Sequence, residues 1–403
     1  MATPVRAALV TYALHCGGME VFLLRLANIL SAAQMHVDFI TTESAGSWEG
    51  VAEEQGFSVH RIYRCSPHRT SRILHFTTLC RRHPYDVLFL NHSITAQAAI
   101  PFIPDRSRIF PIFHNHSDCI YSLSVRNAPG WNAAIAPSSL VASEVERRVP
   151  NRPVLHIPHG IPQPAVSLGA TPCSLPPTTS IIFVGRLDDH QKGIFRLPRI
   201  LAALHALGVP ARLTLVGDGP GRVDLRNLFA EAGVLPHVQF VGWQTPDQTQ
   251  HLLQSSHFLV LPSNYEGFGL VLAEAMACGC IPVASDLPGV TSDIVDHGQN
   301  GLLFPPDAAH DFAAGIASLV RSPDQLLRMR QDGLRKAARH FTLSQMGRRY
   351  LDLIHRSLRG EFAHQSPRLL RTGWDHELIR NCDLAPRWIR SPLRGFTRLF
   401  PSG

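Results

Sequence analysis

Two glutamates, Glu266 and Glu274, stand eight positions apart in the stretch Pro-Ser-Asn-Tyr-Glu-Gly-Phe-Gly-Leu-Val-Leu-Ala-Glu-Ala-Met-Ala-Cys-Gly, residues 262–279. The apolar runs His257 to Leu261 before it and Ile281 to Ala284 after it read as buried strands, so a strand, a glycine loop and a helix starting near Gly269 are expected in succession. Open α/β sheets bind ligands in the crevice at the carboxyl ends of their strands. The start of such a helix offers backbone N–H groups from Phe268 through Gly269 to Leu270, a seat for phosphate. Two carboxylates would repel a lone phosphate. Ionised carboxylates are acceptors suited to pairs of hydroxyls, so a ligand carrying both phosphate and sugar, a nucleotide-sugar, meets both features.

A second loop of the same kind follows the expected strand Ser180 to Val184: Gly185-Arg186-Leu187-Asp188-Asp189-His190-Gln191-Lys192-Gly193. The guanidinium fork of Arg186 and the ammonium of Lys192 could together hold a diphosphate. Gly217-Asp218-Gly219-Pro220-Gly221 approaches a dinucleotide fingerprint, but its third glycine falls one residue early. The next expected strand, Val238 to Val241, ends in Gly242-Trp243 rather than in an acidic ribose ligand, which argues against a nicotinamide dehydrogenase.

The 262–279 stretch resembles the Glu-seven-residues-Glu motif of family 4 retaining glycosyltransferases, and the resemblance extends over roughly residues 5–358. It implies the GT-B fold, two facing Rossmann-like domains joined by a helix that crosses back to the first. It also implies that Glu266 contacts the donor sugar, that Glu274 holds the ribose hydroxyls, and that Arg186 and Lys192 bind the diphosphate. Gly17 and Gly18, in His15-Cys16-Gly17-Gly18-Met19-Glu20, match the family's Gly-Gly turn near the donor phosphates. In Phe113-His114-Asn115-His116, His114 matches a histidine close to the reacting sugar, with His116 the adjacent alternative. The departures are His159 where asparagine is usual and Asp293 where glutamate is usual. A front-face substitution and a covalent intermediate fit these residues equally. Asp-x-Asp occurs nowhere, so no metal and no other cofactor is expected. The region Gly17 to Leu24 and the run Asp38 to Thr41 most resemble transferases of capsule and exopolysaccharide assembly, which implies a glycan or lipid-linked saccharide acceptor. A non-catalytic nucleotide-sugar-binding protein and a GT-B epimerase or phosphorylase share the architecture. The first predicts loss of Glu266, Arg186 or Lys192, and the last needs a cofactor lysine.

The elements that must position these residues follow from the apolar pattern. Strand-like runs at Val5 to Tyr12, Val37 to Thr41, Phe57 to Ile62, Asp86 to Leu90, Ile109 to Phe113, Ala133 to Ala136 and Val154 to Ile157 alternate with helix-compatible segments, the mark of a parallel α/β sheet. The expected division is a first Rossmann-like, acceptor-binding domain over 1–160 and a Pro-rich linker over 161–179. A second, donor-binding domain over 180–343 and a crossover helix over 344–360 follow, and an Arg/aromatic tail closes the chain over 361–403. With 403 residues and 45% apolar content, the chain is long enough for two cores.

The formal charge of +7 suits anionic partners, here a phosphorylated substrate or an anionic membrane surface rather than nucleic acid. No acidic residue occurs from Gln55 to Tyr85, where Arg61, Arg64, Arg69, Arg72, Arg81 and Arg82 accumulate. That basic face, together with the tail, is where a membrane could attach. Eight scattered cysteines without metal-type spacing read as reduced, and no apolar run approaches 18 residues. Together these features point to a cytoplasmic protein, peripheral on the inner face of the membrane.

Overall fold

The computed structural model describes residues 4–15, 17–125, 127–163 and 178–363. Two compact units divide them. The first holds the residues up to Pro137, Val141–Pro158 and those from Met346 onward, and the second holds Ser138–Leu140 and His159–Gln345. The proposed linker lies outside the described residues over 164–177, and so does the tail from 364.

The first unit is built on a seven-stranded, fully parallel sheet of order β3-β2-β1-β4-β5-β6-β7. Its strands are β1 (Arg6–Thr11), β2 (His36–Thr41), β3 (Ser58–Arg61), β4 (Val87–Asn91), β5 (Arg108–Ile112), β6 (Ala134–Ala136) and β7 (Val154–His156). The central strand β4, Val-Leu-Phe-Leu-Asn, is buried at every position because helices cover both faces of a parallel sheet. The helix Gly18–Ala32 buries Phe22, Leu23, Leu26, Ala27 and Leu30, a stripe at three- and four-residue spacing. The helix Leu343–Leu358 brings Tyr350 against Phe22 and Phe89 in this core, with ring centroids 6.1 and 5.6 Å away.

The second unit repeats the plan with a six-stranded parallel sheet of order β10-β9-β8-β11-β12-β13. Its strands are β8 (Thr179–Val184), β9 (Ala211–Val216), β10 (Val238–Gly242), β11 (Phe258–Leu261), β12 (Ile281–Ser285) and β13 (Leu302–Phe304). Strand order reverses between β1 and β4 in one sheet and between β8 and β11 in the other. These are the switch points where such sheets open a crevice.

The basic stretch is less uniform than its composition suggests. Arg61 bonds Glu49 at 2.7 Å and Glu53 at 2.8 Å, and Arg72 lies 3.6 Å from the Glu43 carboxylate while donating to its carbonyl at 3.0 Å. The carboxylates come from outside the acid-free window, so Arg61 and Arg72 serve the fold, whereas Arg64, Arg81 and Arg82 stay exposed. Among the described residues no helix is long and apolar enough to cross a membrane.

Candidate functional site

The loops after β8 and β11 leave the sheet at the switch point of the second unit, and their sequences lock them to each other. Asp188 caps the short helix Asp189–Lys192 by accepting from the His190 N–H at 3.0 Å. Gly193 ends it at φ +57°, where an added Cβ would lie 2.1 Å from the Pro262 carbonyl. That contact marks how closely the second loop presses on the first. The Asn264 side chain donates to the carbonyls of Asp189 and His190, both at 3.0 Å. Arg196 donates to Pro262 O at 3.2 Å and to Asn264 Oδ1 at 2.7 Å.

This clamp delivers Lys192 Nζ to Glu266 Oε1 at 2.5 Å, across 74 positions of sequence. Ser263 Oγ donates to the same oxygen at 2.7 Å. Glu266 is 5% exposed and Ser263 fully buried. Two donors saturate Oε1, and no described residue donates to Oε2. The carboxylate is therefore held by one oxygen and can present the other to a hydroxyl. Ser263→Ala is expected to cost about 1 kcal/mol of stability, the net worth of a hydrogen bond, and to raise donor KM by roughly tenfold as Glu266 gains rotational freedom. Denaturant titration alongside steady-state kinetics checks both.

Arg186 projects from the same loop, about half exposed, and bonds Asp188 at 2.7 Å. A pair this exposed contributes little, so the guanidinium can exchange Asp188 for a ligand anion at small cost. Gly269 precedes the helix Leu270–Ala277 at φ +85° with no side-chain cap on the helix start, leaving that end to backbone donors. Phe268 can offer only its backbone N–H to a ligand. Its ring is buried against His159 and Phe341, with centroids 5.2 and 5.9 Å away. His159, the departure from the usual asparagine, thus packs beneath the loop. Glu274 lies one turn into the helix, and burial together with the Glu274 charge pushes the Cys278 thiol up to about 12.

The Gly217–Gly221 run has a structural use. A Cβ on Gly217, at φ +122°, would meet the Gly185 carbonyl at 2.0 Å, and one on Gly219 would meet the Leu187 carbonyl at 2.5 Å. These glycines let the loop after β9 close on the Arg186 loop, which Leu187 N–H to Asp218 O at 3.0 Å and Gly221 N–H to Leu187 O at 2.9 Å then secure.

Gly17, Gly18 and His114 belong to the first unit. His114 Nε2 lies 2.6 Å from Asn91 Oδ1, and its ring meets Phe22 edge-on at 5.1 Å. His116 turns away, with Nδ1 3.2 Å from the Tyr121 hydroxyl. Gly17 is extended, and a Cβ there would lie 2.8 Å from a Glu20 carboxylate oxygen. Burial raises Glu20 to about 7 against the pull of the backbone N–H groups of Glu20 and His15. A raised carboxyl contributes full stability below its ordinary value of 4.5 and loses it as pH rises through 7. Glu20→Gln is therefore expected to match the wild type near pH 4.5 and to exceed it at pH 8, by on the order of 3 kcal/mol, in thermal or denaturant unfolding.

Sequence reading missed Ser263, Asn264, Asn91 and Glu20. Ser263 and Asn264 lie inside the same loop, but what they help assemble comes from far along the chain: Ser263 shares Glu266 with Lys192, 74 positions away, and Asn264 meets Asp189 across 75. A buried post-strand Asn had no periodic signal.

Residues 16–163 match Glycosyltransferase Family 4, and residues 176–336 match Glycosyl transferases group 1. The alpha-D-kanosaminyltransferase of Streptomyces kanamyceticus is 28% identical over 167 residues, 41% of this chain and 43% of its own length. A D-inositol 3-phosphate glycosyltransferase of Jonesia denitrificans is 25% identical over 378 residues, 81% of this chain and 88% of its own. The chain spans from 34% to 43% of the length of the first curated relatives it matches. The crystal structure of Anabaena Alr3699/HepE in complex with UDP and glucose superposes with a TM-score of 0.72 at 18% identity, covering 87% of this chain and 99% of that one. The two parallel-sheet units have the GT-B fold, and the two matched regions, 16–163 and 176–336, support a family 4-type glycosyltransferase.

Proposed function

We propose that this chain is a retaining glycosyltransferase that moves a hexosyl group from a UDP- or GDP-sugar to a glycan or lipid-linked saccharide, without a metal ion. The observation that carries the reading is the convergence of Lys192 and Ser263 on one oxygen of buried Glu266, at the switch point that also bears Arg186 and the open start of the Leu270–Ala277 helix. As the bond from the anomeric carbon to the diphosphate breaks, negative charge grows on the leaving phosphate and positive charge on the ring. Lys192, Arg186 and the amides of Phe268 to Leu270 stabilise the first. Glu266 Oε2 takes a sugar hydroxyl and Glu274 the ribose, and His114 is the sugar-contacting histidine that the family resemblance implies. The UDP in the Anabaena structure supports a nucleotide donor.

The exopolysaccharide setting rests on the resemblance of Gly17 to Leu24. Attachment to an anionic inner membrane face would use Arg64, Arg81 and Arg82, since Arg61 and Arg72 are engaged elsewhere. The deciding experiment is a thermal-shift and saturation-transfer screen in EDTA against UDP, GDP, ADP and their sugars. A shift by one nucleotide family, weakened by Glu274→Ala, is expected. Folded protein that responds to none of them overturns the reading.

A further inference from the structure

The loops after β8 and β11 also meet through side chains alone. His190 Nδ1 lies 3.1 Å from the Tyr265 hydroxyl, across 75 positions of sequence, and the two rings stand edge to face with centroids 5.6 Å apart. His190 belongs to the helix Asp189–Lys192 and is exposed, whereas Tyr265, immediately before Glu266, is half-buried.

The fold has little need of this bond. Asn264 already ties the loops through the carbonyls of Asp189 and His190, its own N–H donates to the Gln191 carbonyl at 2.8 Å, and Arg196 holds the Pro262 carbonyl. A side-chain bond open to water adds little to backbone pinned in this way.

What distinguishes the hydroxyl is its surroundings. Burial raises the Tyr265 phenol, with Asp188 and Glu266 adding to the rise and Arg186 opposing it. Near neutral pH the phenol therefore keeps its proton and can donate. Those three charges also place the hydroxyl among the groups of the candidate site, beside the guanidinium that can exchange Asp188 for an anion. His190 is tied to the same spot from behind, since its backbone N–H holds Asp188 Oδ1 at 3.0 Å while Arg186 takes Oδ2 at 2.7 Å.

A neutral imidazole carries its proton on either ring nitrogen. With Nδ1 bare, Tyr265 donates to it and the phenol turns only lone pairs outward. With a proton on Nδ1, His190 donates to the phenol oxygen and releases the O–H to another acceptor. A phosphate oxygen beside Arg186 favours the second arrangement, because a hydrogen bond to an anion is about twice as strong as one between neutral groups.

We propose that Tyr265 binds the donor diphosphate through its hydroxyl and that His190 is its positioning residue, giving the Nδ1 proton to the phenol oxygen when the anion is bound. The proposal rests on the transferase reading, and adds a neutral donor to the charged pair Arg186 and Lys192.

The test uses the full chain with UDP, GDP and ADP as probes. Imidazole nitrogen NMR, with the His190 signals identified by their loss in His190→Gln, is expected to show Nδ1 pass from acceptor to donor when the nucleotide that binds is added, and to show no such change in Tyr265→Phe. By isothermal titration, Tyr265→Phe should bind that nucleotide about tenfold more weakly, the loss of one hydrogen bond, with Tm unchanged. His190→Ala should lose about as much and the double variant no more than either, while His190→Gln, whose amide can donate to the phenol, should recover most of it. Full affinity in Tyr265→Phe, or an Nδ1 that stays an acceptor once nucleotide is bound, overturns the proposal. So does a fall in Tm that accounts for the lost affinity, the mark of a structural strut. Protein that binds a nucleotide and gives any of those results loses this inference alone, whereas folded protein that binds none of the three loses the transferase reading with it.

Discussion

Lys192→Ala is expected to lower kcat by roughly 10²- to 10³-fold, the usual effect of removing one preorganised donor from a developing oxyanion. Stability should fall as well. Glu266 is 5% exposed, and Lys192 supplies the cation on its Oε1 at 2.5 Å, so truncation leaves a nearly buried carboxylate with Ser263 as its remaining donor. Breaking a fully buried pair costs roughly 3–5 kcal/mol. Here the loss should be smaller, because the Lys192 side chain keeps 16% exposure.

A double variant separates the two roles. Lys192→Met with Glu266→Gln removes both charges while keeping the shapes, and should restore most of the stability measured by denaturant titration. Turnover should stay as low as in the single variant. If the double variant instead recovers sugar transfer together with stability, the pair is a structural strut and the catalytic assignment fails.

Gly217→Ala should unfold the second unit or weaken it by on the order of 4 kcal/mol, at the severe end for a single substitution. Two causes add. The backbone at φ +122° excludes a side chain, and the new methyl would press on the Gly185 carbonyl at 2.0 Å. Relief requires the Arg186 loop to move, so nucleotide binding should disappear with stability. Gly233→Ala is the control, because it has φ +71° but nothing within 4 Å of the added carbon. It should cost about 1 kcal/mol, the backbone share alone. Equal losses in the two variants would show that the contact between the β9 and β8 loops carries no weight.

The dinucleotide-like Gly217–Gly221 run shows why motif reading needs the fold. Three glycines in a post-strand loop fit either a close approach to a ligand or a close approach to another loop, and composition is the same for both. Only the position of β9 beside β8 decides, and it decides for the second. The basic stretch Gln55 to Tyr85 teaches the same lesson. Its lack of acidic residues is a fact of sequence, yet Glu43, Glu49 and Glu53 reach Arg72 and Arg61 from preceding segments.

By itself the sequence determined the alternation of strand and helix, the two parallel-sheet units, and the residue types at the loops after β8 and β11. These depend on local periodicity and on glycine at turns, which a short window contains. The placement of Glu266, Arg186 and Lys192 in post-strand loops of the second unit was legible for that reason. The tertiary structure alone decided which groups meet: Lys192 and Ser263 on one oxygen of Glu266, Phe268 turned into the core, and His114 on Asn91 while His116 turns to Tyr121. Such pairings follow from strand order, which places residues far apart in the chain at one crevice, and a pattern read along the chain carries no record of that order.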